Sequence, residues 1–481
     1  MLGDMKPFRM IGNLYFVGTY KASSHLIDTG DGLILIDTGY AETADVIVES
    51  VTDLGFDIKE VKYIMHSHGH GDHTNGTPKL LALTGAETFL GQEDEKYISG
   101  WKPDHFYRDG QVISLGNTDI LCLATPGHTE GTYSFFFDVK ENGQTYRAGM
   151  FGGAGTNQLK KAYLNRRGCS WLNRGLYFKS VERLKNEHVD VFVGNHTWNN
   201  QTKEKYEKML ISDENPFINE KEWMLFLEQC EKNAEAVMLQ ESRDLFVNYA
   251  HRGASQYTPE NTFLAFYTGM YMGANGIETD VRMTRDGILV LFHDDTITRL
   301  TGREGSVSDY TLEELRRFTF EKNGLTDKIV VFEDFLKQFA FRDITFAIEI
   351  KQPGIETQIA DMIRKYDIVQ KCVVTSFMPD CIRAVKEYAP ELHIGLLKYG
   401  VTDETIAELK AMGAEEVCPH SGEVTAQKVS RWHREGFNVR AWGLDNEELM
   451  RGVYDSMADG MTVNFPDKLA EYIERQSGTL E

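Results

Sequence analysis

Four candidate metal ligands crowd into six residues at His68-Gly-His70-Gly-Asp72-His73. Neutral imidazole and carboxylate are ligands of choice for zinc, and a turn of this composition has few structural uses. His68 and His70 are two apart, so in an extended segment they point the same way. A turn at Gly71 then sends Asp72 and His73 toward a second ion. Two isolated histidines extend the set. His128 lies in Pro126-Gly-His128-Thr129 and His196 in Gly194-Asn195-His196-Thr197, each after an apolar run.

A second group lies downstream. Glu278 and Asp280 are i and i+2 on a strand-like stretch, and Glu349 and Lys351 repeat that spacing, so each pair projects from one face. Converging carboxylates repel one another unless a cation joins them, and an all-oxygen set suits Mg²⁺ or Ca²⁺ better than zinc. The acids alone could equally form a solvated salt-bridge cluster with Lys351 and Arg252. His251 and His293 favour an active site, because two imidazoles with an ordinary pKa of about 6.5 can divide proton removal and delivery. Arg252 adds a planar fork for two phosphate oxygens.

The elements that must carry these residues are readable as patterns. In the first half, strands are expected at 14–17, 24–28, 33–37, 61–65, 120–124, 133–138, 145–149 and 189–194. Helices at 41–54, about 76–84 and 174–186 flank them, giving a layered α/β domain. A charged segment at 213–241 has helical spacing, with Trp223, Phe226, Leu227, Ala234 and Val237 on one side, and a domain boundary is placed near Ser242. From Leu245 strands and helices alternate, with strands at 246–250, 276–282, 345–350, 371–376, 393–397, 415–418, 437–442 and 460–464. Eight such units match a (β/α)₈ barrel. His251, Glu278, Asp280, Glu349, Lys351, Lys398 and Trp442 all fall at or just past strand C-termini, where barrels keep their active sites.

Composition narrows the functional classes. The 481 residues exceed one ordinary core, and 41% hydrophobic with 26% charged residues is globular usage. A net charge of −22 argues against nucleic acid or an anionic membrane as partner. An anionic small-molecule substrate would need a locally positive site, which a divalent cation supplies. No membrane span or signal peptide is visible, and six scattered cysteines without CxxC spacing fit a reducing cytoplasm. No signal for an oligomeric state stands out.

Residues 8–240 resemble the metallo-β-lactamase superfamily in Ile36-Asp37-Thr38-Gly39, the His68–His73 motif, Thr125-Pro-Gly-His128-Thr and Asn195-His196. The resemblance implies an αββα sandwich with two zinc ions. His68, His70 and His128 would hold one, Asp72, His73 and His196 the other, with Asp37 orienting a ligand from behind. Most phosphodiesterases, thioesterases and lactonases of the superfamily have a metal-bridging Asp after the strand at 145–149, and here Met150 stands in its place. That pattern is similar to the third subclass of metallo-β-lactamases and its relatives. It implies hydrolysis of an ester, amide or lactam-like bond by zinc-activated water, or alternatively a metal-bound scaffold or sensor.

Residues 245–475 closely resemble the glycerophosphodiester phosphodiesterase family. The marks are Ala250-His251-Arg252-Gly253, Pro259-Glu260-Asn261-Thr262, Ile277-Glu278-Thr-Asp280-Val281, His293-Asp294, Glu349-Ile-Lys351 and Phe465-Pro466-Asp467. The resemblance implies that Glu278, Asp280 and Glu349 hold one Mg²⁺ or Ca²⁺, with Arg252 and Lys351 on the diester. His251 and His293 are the acid and base in either order, Glu260 is metal-proximal or orienting, and Trp442 packs on the glycerol. The family's Trp-Thr-Val-Asn stretch is here Trp442-Gly-Leu-Asp445, and its late Thr-Asp is Val463-Asn464, changes that bear on substrate preference. The whole reads as a bifunctional cytoplasmic hydrolase, residues 1–242 and 243–481.

Overall fold

The computed structural model describes residues 5–478, which form two compact units. The first comprises residues up to Tyr163 together with Asn173–Val237. It is built on two sheets. Seven strands follow one another in chain order from Phe8–Ile11 to His105–Phe106, and five strands from Gln111–Leu115 to Val191–Phe192 make the second sheet. The two-residue period of a strand sorts its side chains. In Leu33–Ile36, Ile34 and Ile36 join the core between the sheets with Met65, Phe135, Phe137 and Met150. Leu33 and Leu35 turn the other way, onto Ile47 and Val51 of the helix Ala44–Asp53. On the far side, Trp223 and Phe226 meet Phe192, and Trp223 also meets Phe136, so helices cover both outer faces. This is the αββα sandwich.

Differences from expectation are local. The strands Phe8–Ile11, Glu87–Leu90 and Gln111–Leu115 were not foreseen, and the run at 189–194 contributes only Val191–Phe192 to the sheet. The helix expected at 213–241 is Glu222–Asp244 and passes the boundary placed near Ser242. Pro216 explains its late start, since the residue before a proline is pushed out of the helical region. Asn215 instead donates its side-chain amide to the Met10 carbonyl and accepts from Phe217 N–H, and Ile218 bridges to Val191.

The second unit comprises Met238 onward and takes in Leu164–Leu172. Eight strands, Val247–His251, Gly276–Met283, Thr345–Ile350, Cys372–Ser376, His393–Lys398, Glu416–Pro419, Asn438–Leu444 and Gly460–Val463, pair in parallel, and the last pairs with the first. The barrel is closed, as expected from the alternation, and Leu289–Leu291 adds an antiparallel strand to its second member. Within the segment Leu164–Leu172, Trp171 stacks on His393 with ring centroids 4.1 Å apart, and Ser170 Oγ donates to Glu415 at 3.2 Å.

The barrel interior is charged. Arg440 Nε donates to Glu416 at 2.8 Å with both side chains 1% exposed, Asn438 donates to the other Glu416 oxygen at 2.7 Å, and the guanidinium lies 5.4 Å from the Tyr249 ring centre. Removing one partner of such a pair strands the other charge in a poorly solvating environment. Arg440→Met is therefore expected to cost about 3–5 kcal/mol of barrel stability, and Arg440→Met with Glu416→Gln to recover most of it. Hydrogen–deuterium exchange of the barrel strands under increasing urea checks this. A single variant as stable as wild type would show that the pair is dispensable.

Candidate metal centres

The first constellation gathers at the C-terminal end of Val61–Met65. The chain leaves the sheet through Ser67–His70 and enters a single helical turn, Gly71–Thr74, which carries Asp72 and His73 and sets the His73 ring beside that of His68, centroids 4.2 Å apart. Gly127 must be glycine to bring His128 in. Its φ is +136°, and a Cβ there would lie 2.4 Å from Tyr177 Cα.

Hydrogen bonds fix which ring nitrogens are bare. Ser67 Oγ gives its proton to Asp37 Oδ2 at 2.7 Å, so it accepts from His68 Nδ1 at 3.2 Å. His128 Nδ1 donates to the Gly155 carbonyl at 2.9 Å, and His70 Nε2 sits 2.9 Å from the Tyr163 hydroxyl. The nitrogens left over, His68 Nε2, His70 Nδ1 and His128 Nε2, lie 3.1–3.2 Å from one another. A tetrahedral zinc with Zn–N of about 2.0–2.1 Å needs nitrogens roughly 3.3–3.4 Å apart, so the triad fits. Burial holds His68 and His128 neutral, His128 down to about 3, which is the form a ligand requires.

The neighbouring set is looser. His73 Nδ1 donates to Asp37 at 2.8 Å, leaving a buried Nε2 with no hydrogen-bond partner among the described residues, 3.5 Å from Asp72 Oδ2. His196 Nδ1 donates to the Lys21 carbonyl at 2.7 Å, and its Nε2 is 3.7 Å from the same Asp72 oxygen. Burial works against ionisation of Asp72, but His73 and His196 outweigh it and hold its pKa below the ordinary value. Asp37 thus stands behind His73 directly and behind His68 through Ser67, in a left-handed conformation with φ of +58°. Met150 points into the core between the sheets, away from the ligands.

Two supporting residues had not been singled out. Asp94 accepts from Gly69 N–H at 2.6 Å, Thr129 Oγ at 2.6 Å and Gly131 N–H at 2.8 Å, tying the His68–His70 loop to the His128 loop. Burial nevertheless pushes its carboxyl up to about 6. Tyr163 backs His70. A lone acid in a loop and a tyrosine in a short helix carry no motif signal.

The second constellation sits at the barrel mouth. Strand register pairs His251 with Glu278 and Asp280 with Glu349, so the carboxylates of Glu278, Asp280 and Glu349 converge within 4.8 Å. Lys351 Nζ is 2.7 Å from Glu349, and Arg252 Nε lies 3.2 Å from Asp280 while its fork reaches Glu260 at 3.0 Å. Arg252 reaches them from a left-handed turn, φ +56°. The following Gly253 is crowded so closely that a Cβ would meet the Ala265 carbonyl carbon at 2.4 Å. Glu260 is also held by Arg299 at 2.6 Å, so it orients Arg252 from outside the carboxylate trio, and Asn261 donates to Asp280 at 2.9 Å.

The trio is electrostatically strained. Burial raises Glu278 well above its ordinary value and Glu349 to about 7, with Asp280 adding repulsion to both. Burial opposes ionisation of Asp280 too, but Arg252 and Lys351 overcome it and hold that carboxyl low. Carboxylates that resist ionising together, with Asp280 Oδ1 buried, without a hydrogen-bond partner among the described residues and 3.7 Å from Lys351 Nζ, are what a hard divalent cation would relieve. The histidines flank the trio. His251 Nδ1 donates to Asn464 at 2.6 Å with Nε2 3.8 Å from Glu278, and His293 Nδ1 donates to Asp294 at 2.6 Å. Desolvation lowers both, His251 to about 4. Asn464, one of the late departures, thus orients His251, and Arg299, which was not anticipated, braces both Glu260 and Asp294. Trp442 donates to the Cys418 carbonyl at 3.0 Å and packs edge-on against Phe377, Tyr399 and His420 on the same rim.

Known proteins resemble both units. Residues 251–468 match the glycerophosphoryl diester phosphodiesterase family and residues 17–142 the metallo-beta-lactamase superfamily. A glycerophosphodiester phosphodiesterase of Caldanaerobacter subterraneus subsp. tengcongensis is 33% identical over 236 residues, 47% of this chain and 97% of its own length. One from Bacillus altitudinis is 30% identical over 239 residues, again 47% of this chain and 97% of that protein. The solved native FEZ-1 metallo-beta-lactamase of Legionella gormanii covers 50% of this chain and 98% of its own, at 28% identity and a TM-score of 0.47.

Raised carboxyls make the metal-free barrel pH-sensitive. Unfolded glutamate ionises at about 4.3, whereas folded Glu349 keeps its proton up to about 7. Between those values the native state binds more protons, so metal-free barrel stability should fall as pH rises through that window. Millimolar Mg²⁺ or Ca²⁺ should stabilise the barrel progressively more over the same window. Thermal unfolding from pH 4 to 8, with and without the cation, measures both. A cation effect independent of pH would refute this account of the trio.

Proposed function

The chain belongs to the glycerophosphodiester phosphodiesterase family, and we propose that its barrel hydrolyses glycerophosphodiesters to glycerol 3-phosphate and an alcohol. The N-terminal unit, in the same reading, is a dinuclear zinc hydrolase of ester, amide or lactam-like bonds. The two activities are assigned to residues 243–481 and 1–242. The observation that carries the barrel's reading is the flanking of the Glu278–Asp280–Glu349 trio by two imidazoles of opposite backing.

His251 is backed by the neutral Asn464 carboxamide and lies beside Arg252, so its neutral form is favoured and its Nε2 is free to take a proton. His293 is backed by the Asp294 carboxylate, which supports an imidazolium. These backings favour the reading of His251 as general base and His293 as general acid. Arg252 and Lys351 place two fixed positive charges beside the trio to bind the phosphodiester. A cation held by Glu278, Asp280 and Glu349 would supply the further positive charge that offsets charge building on the phosphoryl oxygens. His251 then takes the proton from the glycerol hydroxyl next to the phosphate as that oxygen attacks phosphorus. His293 protonates the departing alcohol, and water opens the resulting cyclic phosphate with the two roles exchanged.

In the N-terminal unit, zinc held by His68, His70 and His128 and by Asp72, His73 and His196 would polarise a carbonyl and lower the pKa of water to about 7. The protein's own contribution is the set of rear hydrogen bonds from Asp37, Gly155, Lys21 and Tyr163 that hold the imidazoles in their ligating tautomers.

His251→Ala and His293→Ala should each lower turnover of glycerophosphocholine or glycerophosphoethanolamine by about 10²-fold or more. With a p-nitrophenyl leaving group, which departs unaided, His293→Ala should recover most of its activity and His251→Ala should not. Recovery of His251→Ala instead would reverse the acid and base, and rapid cleavage of a 2-deoxyglycerol diester would exclude the cyclic route.

Metal content tests the first unit separately. The three imidazoles at 3.1–3.2 Å form the tighter site, and the Asp72 set has no bridging carboxylate. Elemental analysis after mild chelation should find about one zinc per chain retained, and none after His68→Ala with His70→Ala. Parallel loss of both ions from the wild type would contradict unequal sites.

A further inference from the structure

The chain beyond the antiparallel strand Leu289–Leu291 carries a residue that reaches both halves of the chemistry assigned to the barrel mouth. Ile297 is buried with Val290, Phe292, Val307 and Phe320 in a small satellite core, and its N–H donates to the Gly305 carbonyl at 2.9 Å. The single helical turn Thr298–Thr301 grows from that anchor, with Thr301 Oγ donating back to the Ile297 carbonyl at 2.8 Å. Arg299 therefore starts from a fixed backbone. Its Nε donates to Asp294 Oδ2 at 2.6 Å, and its two terminal nitrogens take the two Glu260 oxygens at 2.6 and 2.9 Å.

An ion pair made by an exposed arginine is ordinarily worth little. This one differs in what its partners do. The Arg299 side chain is 47% exposed, but those of Glu260 and Asp294 are 11% and 24% exposed. Each acid also holds a residue of the site. Glu260 Oε1 accepts from Arg252 at 3.0 Å, and Asp294 Oδ1 accepts from His293 Nδ1 at 2.6 Å. Burial opposes ionisation of both acids, and the hydrogen bonds from Arg299 lead the influences that hold both carboxyls below their ordinary values. A planar guanidinium can grip one carboxylate with its fork and a second with Nε, which a lysine ammonium cannot reproduce.

We propose that Arg299 is a positioning residue that couples phosphate capture to proton delivery. Through Glu260 it sets the Arg252 fork on the diester, and through Asp294 it sets the His293 imidazole on the departing alcohol. The proposal rests on the reading of the barrel as a phosphodiesterase with His293 as its acid. Its loss then has two separable consequences. A loosened Arg252 weakens binding of every diester, whereas a loosened His293 slows only those whose leaving alcohol needs a proton.

The test uses the full-length chain loaded with Mg²⁺ or Ca²⁺. With glycerophosphocholine, Arg299→Ala should raise KM about tenfold and lower kcat about tenfold, each within the roughly 10²-fold that a misplacement of about 1 Å can cost. With the p-nitrophenyl diester the kcat loss should vanish and the KM rise should remain. Glu260→Gln should reproduce the KM effect alone and Asp294→Asn the kcat effect alone. Adding Arg299→Ala to either should leave that effect no larger, because the residues act as one chain of contacts. Millimolar guanidinium, entering at a half-exposed position, should restore much of both in Arg299→Ala. KM and kcat both within twofold of wild type would reduce Arg299 to a surface ion pair. A kcat loss that persists with p-nitrophenyl, or effects that simply add in the double variants, would equally overturn the proposal. If wild type cleaves no glycerophosphodiester, the phosphodiesterase reading falls instead. Calorimetric binding of glycerol 3-phosphate then still decides the Arg252 half, supporting it if Arg299→Ala binds about tenfold more weakly and overturning it if the two bind alike.

Discussion

Three imidazole lone pairs held 3.1–3.2 Å apart repel one another, and much of the first unit's local architecture resists that repulsion. Each ring is held from the rear: His68 by the Ser67 hydroxyl with Asp37 behind it, His128 by the Gly155 carbonyl and His70 by the Tyr163 hydroxyl. These supports come from widely separated stretches, the end of a strand, the loop after Met150 and a short helix. Asp94 then ties two of the ligand loops together through backbone amides, so neither can relax without disturbing the other. The barrel solves the same problem with charge. Its carboxylate trio is interleaved with Arg252 and Lys351, and Glu260 and Arg299 hold Arg252 in place from outside.

Much of this was legible because the ligands themselves are chemically loud. Two histidines and an aspartate within a few residues, or acids at i and i+2 on a strand, seldom serve packing alone, and parallel strand register carries the rest. All eight barrel strands fall within a residue or two of their expected positions, since alternating apolar segments in a closed parallel sheet leave little freedom. The supporting shell was not legible. Asp94 is one of 73 acidic residues, and only the folding together of the loops around Gly69 and Thr129 distinguishes it. Arg299 and Tyr163 are hidden for the same reason: their partners lie 39 and 93 residues away.

The first unit was also harder to delimit than the barrel. Its edge strands are short, and strands such as Glu87–Leu90 alternate too briefly to stand out against neighbouring loops. The helix starting at Glu222 shows how one proline overrides amphipathic spacing. Charged residues from 213 onward continue the pattern, yet Pro216 and the hydrogen bonds of Asn215 commit that stretch to a turn. Met150 is the reverse case, a residue conspicuous in sequence whose side chain is simply part of the packed interior.

The segment Leu164–Leu172 has a consequence for how the molecule is made. Its Trp171 stacks on His393, and Ser170 reaches Glu415, which lies 245 residues further along the chain. During synthesis at about 5–20 residues per second, these side chains leave the ribosome roughly ten to fifty seconds before the residues that will cover them. The first sandwich can close around its ligands in that interval, but this loop must wait, with an indole uncovered, until most of the barrel exists. A nascent chain stalled between those points would present that indole to chaperones and proteases.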